Sequence, residues 1–159
     1  MCSCSSNGFG GHQFSLSGFG IADFIWIAWN HPHAPEEGGA LSLEELTAGS
    51  PRWHLTAFEM KLFDWRKGLS QAFRYSHFAD TSILVLPPAA AKVAEARLQL
   101  FEDLNVGLWS FDKKGDRIRR IFTPVTGRSR NPAAREKAMG MIRQRLQLSK
   151  LFKQVKTFE

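Results

Sequence analysis

The amino-acid sequence predicts an α/β protein built on a mixed central sheet. Two or three strand-like apolar runs follow one another early in the chain, and helix-patterned and strand-patterned segments then alternate. The 159 residues suffice for one domain with a proper core and fall short of two. An apolar fraction of 43%, with five Trp and thirteen Phe, fits a packed globular chain rather than a disordered one.

Taken in order, HQFSLSGFG (12–20) reads as a short strand. GIADFIWIAW (20–29) is a stronger one, nearly continuous in apolar and aromatic residues, as a buried central strand would be. A Pro-, Gly- and Glu-rich excursion follows, with a short helix expected at SLEELTAG (42–49), where Ser42 and Glu45 have capping-box spacing and Gly49 closes the turn. WHLTAFEMKLF (53–63) is the third strand. Asp64 then offers an N-cap for a helix running to about Phe78, with Trp65, Leu69, Ala72 and Phe73 as its apolar side. SILVLP (82–87) is a short apolar strand stopped by Pro87 and Pro88. AAAKVAEARLQLFEDLN (89–105) is a helix by propensity and period. VGLWSFD (106–112) is a strand, KKGD a turn, and RIRRIFTPV (117–125) its hairpin partner. A Pro/Gly/Arg loop leads to a last helix at 133–152, where Met139, Ile142 and Leu146 form a docking stripe. Residues 1–112 thus read as the core and 113–159 as a basic extension packed on the same domain.

The chain carries a net charge of +6, unevenly spread. From Lys113 onward fourteen Lys and Arg meet only Asp116, Glu136 and Glu159, whereas the preceding part is slightly acidic. Clustered cations that release counterions from a phosphate backbone favour a nucleic-acid partner, DNA in this reading. A solvated basic surface, or a tail that binds an acidic protein, are the other readings. No run of about eighteen apolar residues suggests a membrane span, and MCSCSSNGFGG lacks the features of a secretion signal. Cys2 and Cys4 supply two thiols where a structural zinc site needs four ligands. Free thiols in a reducing cytoplasm are therefore expected. His31 and His33 read as loop residues, His77 as a helix-end histidine, and Trp26 and Trp29 as packing residues.

One feature resists a purely structural account. Glu59 and Lys61 stand two apart on an apolar strand, so their side chains share a face. Burying either charge unpaired costs several kcal/mol or more. An ion pair, an exposed sheet edge or a metal site would each resolve this. Asp23 is the other acid inside a core strand. If its strand pairs with the third, Asp23, Glu59 and Lys61 converge at one sheet end. Two carboxylates with several waters suit Mg²⁺, and a neighbouring lysine can orient an attacking water.

Asp, a long spacer, then Glu-x-Lys on an apolar strand resembles the active-site pattern of the PD-(D/E)XK nuclease superfamily, with its restriction-endonuclease-like fold. QAFRY, with Gln71 and Tyr75 at i and i+4, resembles the Gln-x-x-x-Tyr helix of the RecB-like and lambda-exonuclease-like branch. Helical geometry puts Lys67, Gln71, Arg74 and Tyr75 on one side, opposite Trp65, Leu69 and Phe73. The resemblance spans residues 12–111. It implies a DNA nuclease in which Asp23 and Glu59 bind Mg²⁺ (with Mn²⁺ as a substitute), Lys61 positions the water, and Gln71 and Tyr75 support the site; such nucleases often act as homodimers. Lys67, Arg74, Arg119, Arg120, Arg128, Arg130, Arg143 and Arg145 would hold the phosphate backbone. The chain departs from the pattern in three ways. The family's first helix and its acid have no counterpart before Asp23, Ala22 stands where the motif has proline, and the spacer from Asp23 to Glu59 is long, so that its EEGGALSLEEL excursion must fit outside the sheet. A catalytically inactive module of the same fold, binding nucleic acid or a protein, is the alternative function.

Overall fold

The computed structural model describes residues 7–30 and 52–155. Its elements are β1 (Asn7–Leu16), β2 (Gly20–Asn30), β3 (Arg52–Met60), α1 (Trp65–Tyr75), β4 (Thr81–Leu86), α2 (Pro88–Glu95), α3 (Leu98–Leu104), β5 (Gly107–Asp112), β6 (Arg117–Phe122) and α4 (Pro132–Val155). The six strands form one sheet in the order β1-β2-β3-β4-β5-β6. The first three are antiparallel, β3-β4 and β4-β5 are parallel, and β6 returns antiparallel on β5. The sheet is therefore mixed and the architecture α/β. The helix expected at 42–49, His31, His33 and both cysteines lie outside the described residues.

Two apolar clusters hold the layers together. One joins Phe14, Leu16, Ile25, Ile27, Leu55 and Ala57 of the antiparallel half to Tyr75 and Phe78, and to Ala134, Ala138, Met139 and Ile142 of α4. The other joins Trp65, Leu69 and Ala72 of α1 to Leu84, Leu86 and Leu108 of the parallel half, and to Ala91, Ala94 and Phe101. α1 contributes to both, so it buries a wider face than its sequence stripe suggested. Tyr75 is 1% exposed, while Phe73 is only partly buried. Tyr75 lies inward of the exposed Lys67 and Arg74 with which it shares a side of α1, because two cores flank this helix.

Other elements also differ in detail. β1 begins at Asn7 and ends at Leu16, and residues 17–19 form the hairpin turn, with Gly18 and Gly20 at φ +89° and +96°. Those backbone angles are open to glycine and costly to most other residues, so the SGFG stretch turns instead of extending. The helix expected at 89–105 is broken after Glu95 and resumes at Leu98. Buried Ala91, Ala94 and Phe101 keep helical spacing across the break, and no Gly or Pro marks it. Packing of Phe101 against Trp65, with ring centroids 6.1 Å apart, belongs to the second segment. Asn105 then closes α3 in the left-handed conformation (φ +53°). Its amide also clasps Val125 through both N–H and C=O at 2.9 Å. α4 is capped by Asn131, whose Oδ1 accepts from the Ala134 N–H at 3.1 Å.

Candidate active site at the β2–β3 end

Strand pairing explains how an aspartate comes to occupy an apolar strand. The β1–β2 register runs through His12↔Phe24 and resumes at Phe14↔Ala22, skipping Asp23 and the Gln13 opposite it, whose φ is +48°. The β2–β3 register ends at Phe24↔Phe58. One residue further on, Asp23 comes opposite Glu59, where the ladder has stopped. There its Oδ2 accepts the Met60 N–H at 2.8 Å. A side-chain carboxylate thus takes the donor that a strand carbonyl would otherwise satisfy. The Asp23 carboxyl group is consequently held against the backbone between Glu59 and Lys61.

Glu59 lies on the helix-covered face and is 1% exposed. Lys61 Nζ meets its Oε1 at 2.5 Å, and the Tyr75 hydroxyl donates to its Oε2 at 2.5 Å. The same phenol oxygen is 2.5 Å from the Ile21 carbonyl. One phenolic proton therefore serves two acceptors, a buried carboxylate and a backbone carbonyl. Burial, then the hydrogen bond and charge of Glu59 and the charge of Asp23, push the Tyr75 pKa well above its ordinary value, against a smaller opposing effect of Arg74. Tyr75 is a standing proton donor that bridges β2 and β3 from the end of α1.

Gly68 lets α1 come close enough to do this. A Cβ there would meet Leu84 Cδ1 at 2.6 Å and Lys61 Cγ at 2.9 Å. The aliphatic stem of Lys61 therefore lies along the helix backbone, with its ammonium directed to Glu59. One turn before Tyr75, the Gln71 side-chain oxygen is buried and accepts no hydrogen bond among the described residues. Asp23, Glu59, Lys61 and Tyr75 are thus brought together, with Gln71 on the adjoining turn.

The basic residues are more dispersed. Lys67 and Arg74 are exposed on α1. Arg130 lies over Phe73 at 4.8 Å, in the exposed loop that also carries Arg128. Arg119 pairs with Glu95 at 2.7 Å, and Arg120 stacks over Trp109 at 4.9 Å. Both belong to β6, three strands and about 14 Å from β3 at ordinary strand spacing. Arg143 is exposed on α4, and Arg145 lies over Phe14 at 5.3 Å. Arg119 and Arg120 thus stand apart from the Glu59 centre, whereas Arg74 is near enough to Tyr75 to act on its ionisation.

Sequence reasoning missed a second polar cluster at the opposite end of β3. Asp80 Oδ2 accepts from the Leu55 N–H and from Arg135 Nη2, both at 2.8 Å, with His54 Nδ1 at 3.9 Å. Arg135 also donates to the Trp53 carbonyl at 2.9 Å. This cluster ties α4 to the sheet. Its only sequence signals were an aspartate before a strand and one arginine among fourteen late cations.

Among the described residues no group of three or more His, Cys, Asp or Glu converges, and no helix is long and apolar enough to cross a membrane. Comparison of the chain with protein-family models, with curated proteins and with solved structures returns no match.

Proposed function

We propose that this chain is a metal-dependent DNA nuclease of the PD-(D/E)XK type, with its reaction centre at Asp23, Glu59 and Lys61. One observation carries the reading. A carboxylate from β2 is delivered to the Met60 amide, between the Glu59 carboxylate and the Lys61 ammonium of β3. Two carboxylates beside one ammonium leave a net negative charge at the sheet end, which a divalent cation would offset. The donor set fits Mg²⁺, which needs only one or two protein carboxylates and keeps its remaining positions for water and substrate. When bound, Mg²⁺ supplies Lewis-acid stabilisation of a phosphoryl oxygen and of the leaving oxygen. Asp23 and Glu59 would be its protein ligands.

Lys61, whose ammonium is paired with Glu59, would orient an attacking water and stabilise its negative form. Tyr75, kept protonated, fixes the Oε2 edge of Glu59 and ties it to Ile21 of β2, setting the spacing of the two acidic strands. Gln71 adds a polar group on the same side of α1.

A second reading is favoured by one specific observation. Glu59 is almost fully buried, and both its oxygens are engaged by Lys61 and Tyr75. That arrangement suits a structural ion pair in a nuclease-fold module that binds without cutting. Incubation of the protein with linear and circular DNA, with Mg²⁺, with Mn²⁺ and with EDTA separates the two. Metal-dependent cleavage that Lys61→Ala abolishes supports the nuclease; salt-sensitive binding with no cleavage in either metal supports the binding module.

A further inference from the structure

The two apolar clusters join the described helices to one face of the sheet, through Ile25, Leu55, Ala57, Leu84 and Leu108. The strand register turns Phe24, Phe58 and Trp109 to the opposite face, on which no described helix packs. That face carries a row of planar side chains from one sheet edge to the other. His12 of β1 lies 5.1 Å from Phe24 between ring centroids, Phe24 lies 5.7 Å from Phe58, and Phe58 lies 5.7 Å from Trp109. The Arg120 guanidinium of β6 completes the row, 4.9 Å over the Trp109 ring. Across six strands the row is about 24 Å long at ordinary strand spacing. Beside it Trp26, Met60, Phe111 and Ile118 are 37%, 48%, 39% and 61% exposed. Large apolar side chains gathered on an open face mark an interaction site.

The kind of side chain and the charge at one end select the occupant. Aromatic rings and a guanidinium plane stack on nucleobases whatever their sequence. The strand positions of the row hold no Asp or Glu, and the row ends at a cationic edge. There the β5–β6 hairpin carries Lys113, Lys114, Arg117, Arg119 and Arg120 against Asp112 and Asp116. Arg117 pairs with Asp112 and Arg119 with Glu95 of α2, so cations stay in excess when that third carboxylate is included. Among the described residues Arg120 has no carboxylate partner, and its N–H donors are free for a phosphate while its plane rests on Trp109. Bases in an intact duplex are stacked on one another and present no ring face, so the polyanion that fits is a single strand. We propose that this open face binds single-stranded DNA, with bases stacked on Trp26, Trp109 and Phe111 and the phosphate chain held by Arg120 and the Lys113–Lys114 turn. The inference rests on the DNA partner of the reading above and goes beyond it, because the surface lies on the other side of the sheet from Glu59.

The test is equilibrium binding by fluorescence anisotropy, with the full chain in EDTA so that no strand is cut. The probes are one labelled DNA oligonucleotide, single-stranded and as a blunt duplex, and the matching RNA strand. Wild type is expected to bind the DNA single strand more tightly than either other probe. Trp26→Ala/Phe111→Ala should weaken single-strand binding about tenfold, at the scale of one lost base-stacking contact, and leave duplex binding within about twofold. Trp26→Phe/Phe111→Tyr, which keeps both rings, should bind the single strand like wild type. Arg120→Gln should lower the slope of log affinity against log salt by about 0.7 on the single strand. A readout on wild type alone is photocrosslinking to a 5-iodouracil single strand, with adducts expected on Trp26, Trp109 or Phe111 in peptide maps. Adducts confined to the helix-covered side, equal losses on single strand and duplex, or no loss on either would overturn the proposal. Tighter binding of the RNA strand would overturn the choice of DNA, and a halved solution mass in the double variant would show that the face joins two copies instead. If the double variant binds single strands like wild type while wild type cuts DNA with Mg²⁺, this face fails and the nuclease reading stands. If single strands bind through this face and nothing is cut with Mg²⁺ or Mn²⁺, the face stands and the nuclease reading fails.

Discussion

Tyr75 is the single tyrosine of the chain, so its ionisation can be read without interference. In the folded protein its proton is held between the Ile21 carbonyl and the Glu59 carboxylate, each 2.5 Å from the phenol oxygen. Its pKa is therefore raised above the ordinary value of about 10 that applies in the unfolded chain. A raised folded-state pKa means that the unfolded state releases the proton first as pH rises. The stabilisation is fully present below about pH 10 and is lost above it, at about 1.4 kcal/mol per pH unit from this one group. Tyr75→Phe removes that dependence. It also leaves a buried carboxylate oxygen and a backbone carbonyl without their donor, which should cost about 2–3 kcal/mol at neutral pH. Urea denaturation of both proteins, from neutral to strongly alkaline pH, measures the two effects. Ultraviolet titration of tyrosinate absorbance, followed together with circular dichroism, gives the decisive result. The tyrosinate signal should appear only as the fold is lost. Ionisation with a midpoint near pH 10 in a protein that keeps its native dichroism would refute the buried bridge.

Gly68→Ala should destabilise the protein by about 1 kcal/mol in thermal or urea melts, because its methyl group meets Leu84 and Lys61 and this outweighs the gain in helix propensity. Gly140→Ala, at a position on α4 with no atom near the added Cβ, should stabilise by about 0.5–1 kcal/mol in the same assay. Asp80→Ala leaves the Arg135 guanidinium and the Leu55 N–H unmatched at the β3–α4 junction, and urea midpoints should report a loss of about 3 kcal/mol. Arg143→Gln should lower DNA affinity and reduce the slope of log affinity against log salt by about one, measured by anisotropy at several salt concentrations. An unchanged slope would remove α4 from the interface.

The strand–helix order was legible because the apolar runs at 20–29, 53–63 and 82–87 are unambiguous and because Pro87, Pro88 and Asn105 punctuate the chain. The Glu59–Lys61 pair and its proximity to Asp23 were legible for the same reason. Strand periodicity puts i and i+2 on one face, and a carboxylate in an apolar strand demands a partner. The break between α2 and α3 was hidden by spacing that satisfies the core on either side of it. The Asp80–Arg135 clamp was hidden because its members lie far apart along the chain and resemble ordinary surface charges. Local pattern alone therefore determined that this is an α/β chain with charges on an inner strand and a basic C-terminal third. Tertiary structure decided that Tyr75 turns inward to hold Glu59, that Asp23 caps the Met60 amide, and that Arg119 and Arg120 stand three strands from β3 while Arg145 lies over Phe14. Those outcomes depend on which surfaces two separate cores cover and where a strand ladder ends, and a linear pattern encodes neither.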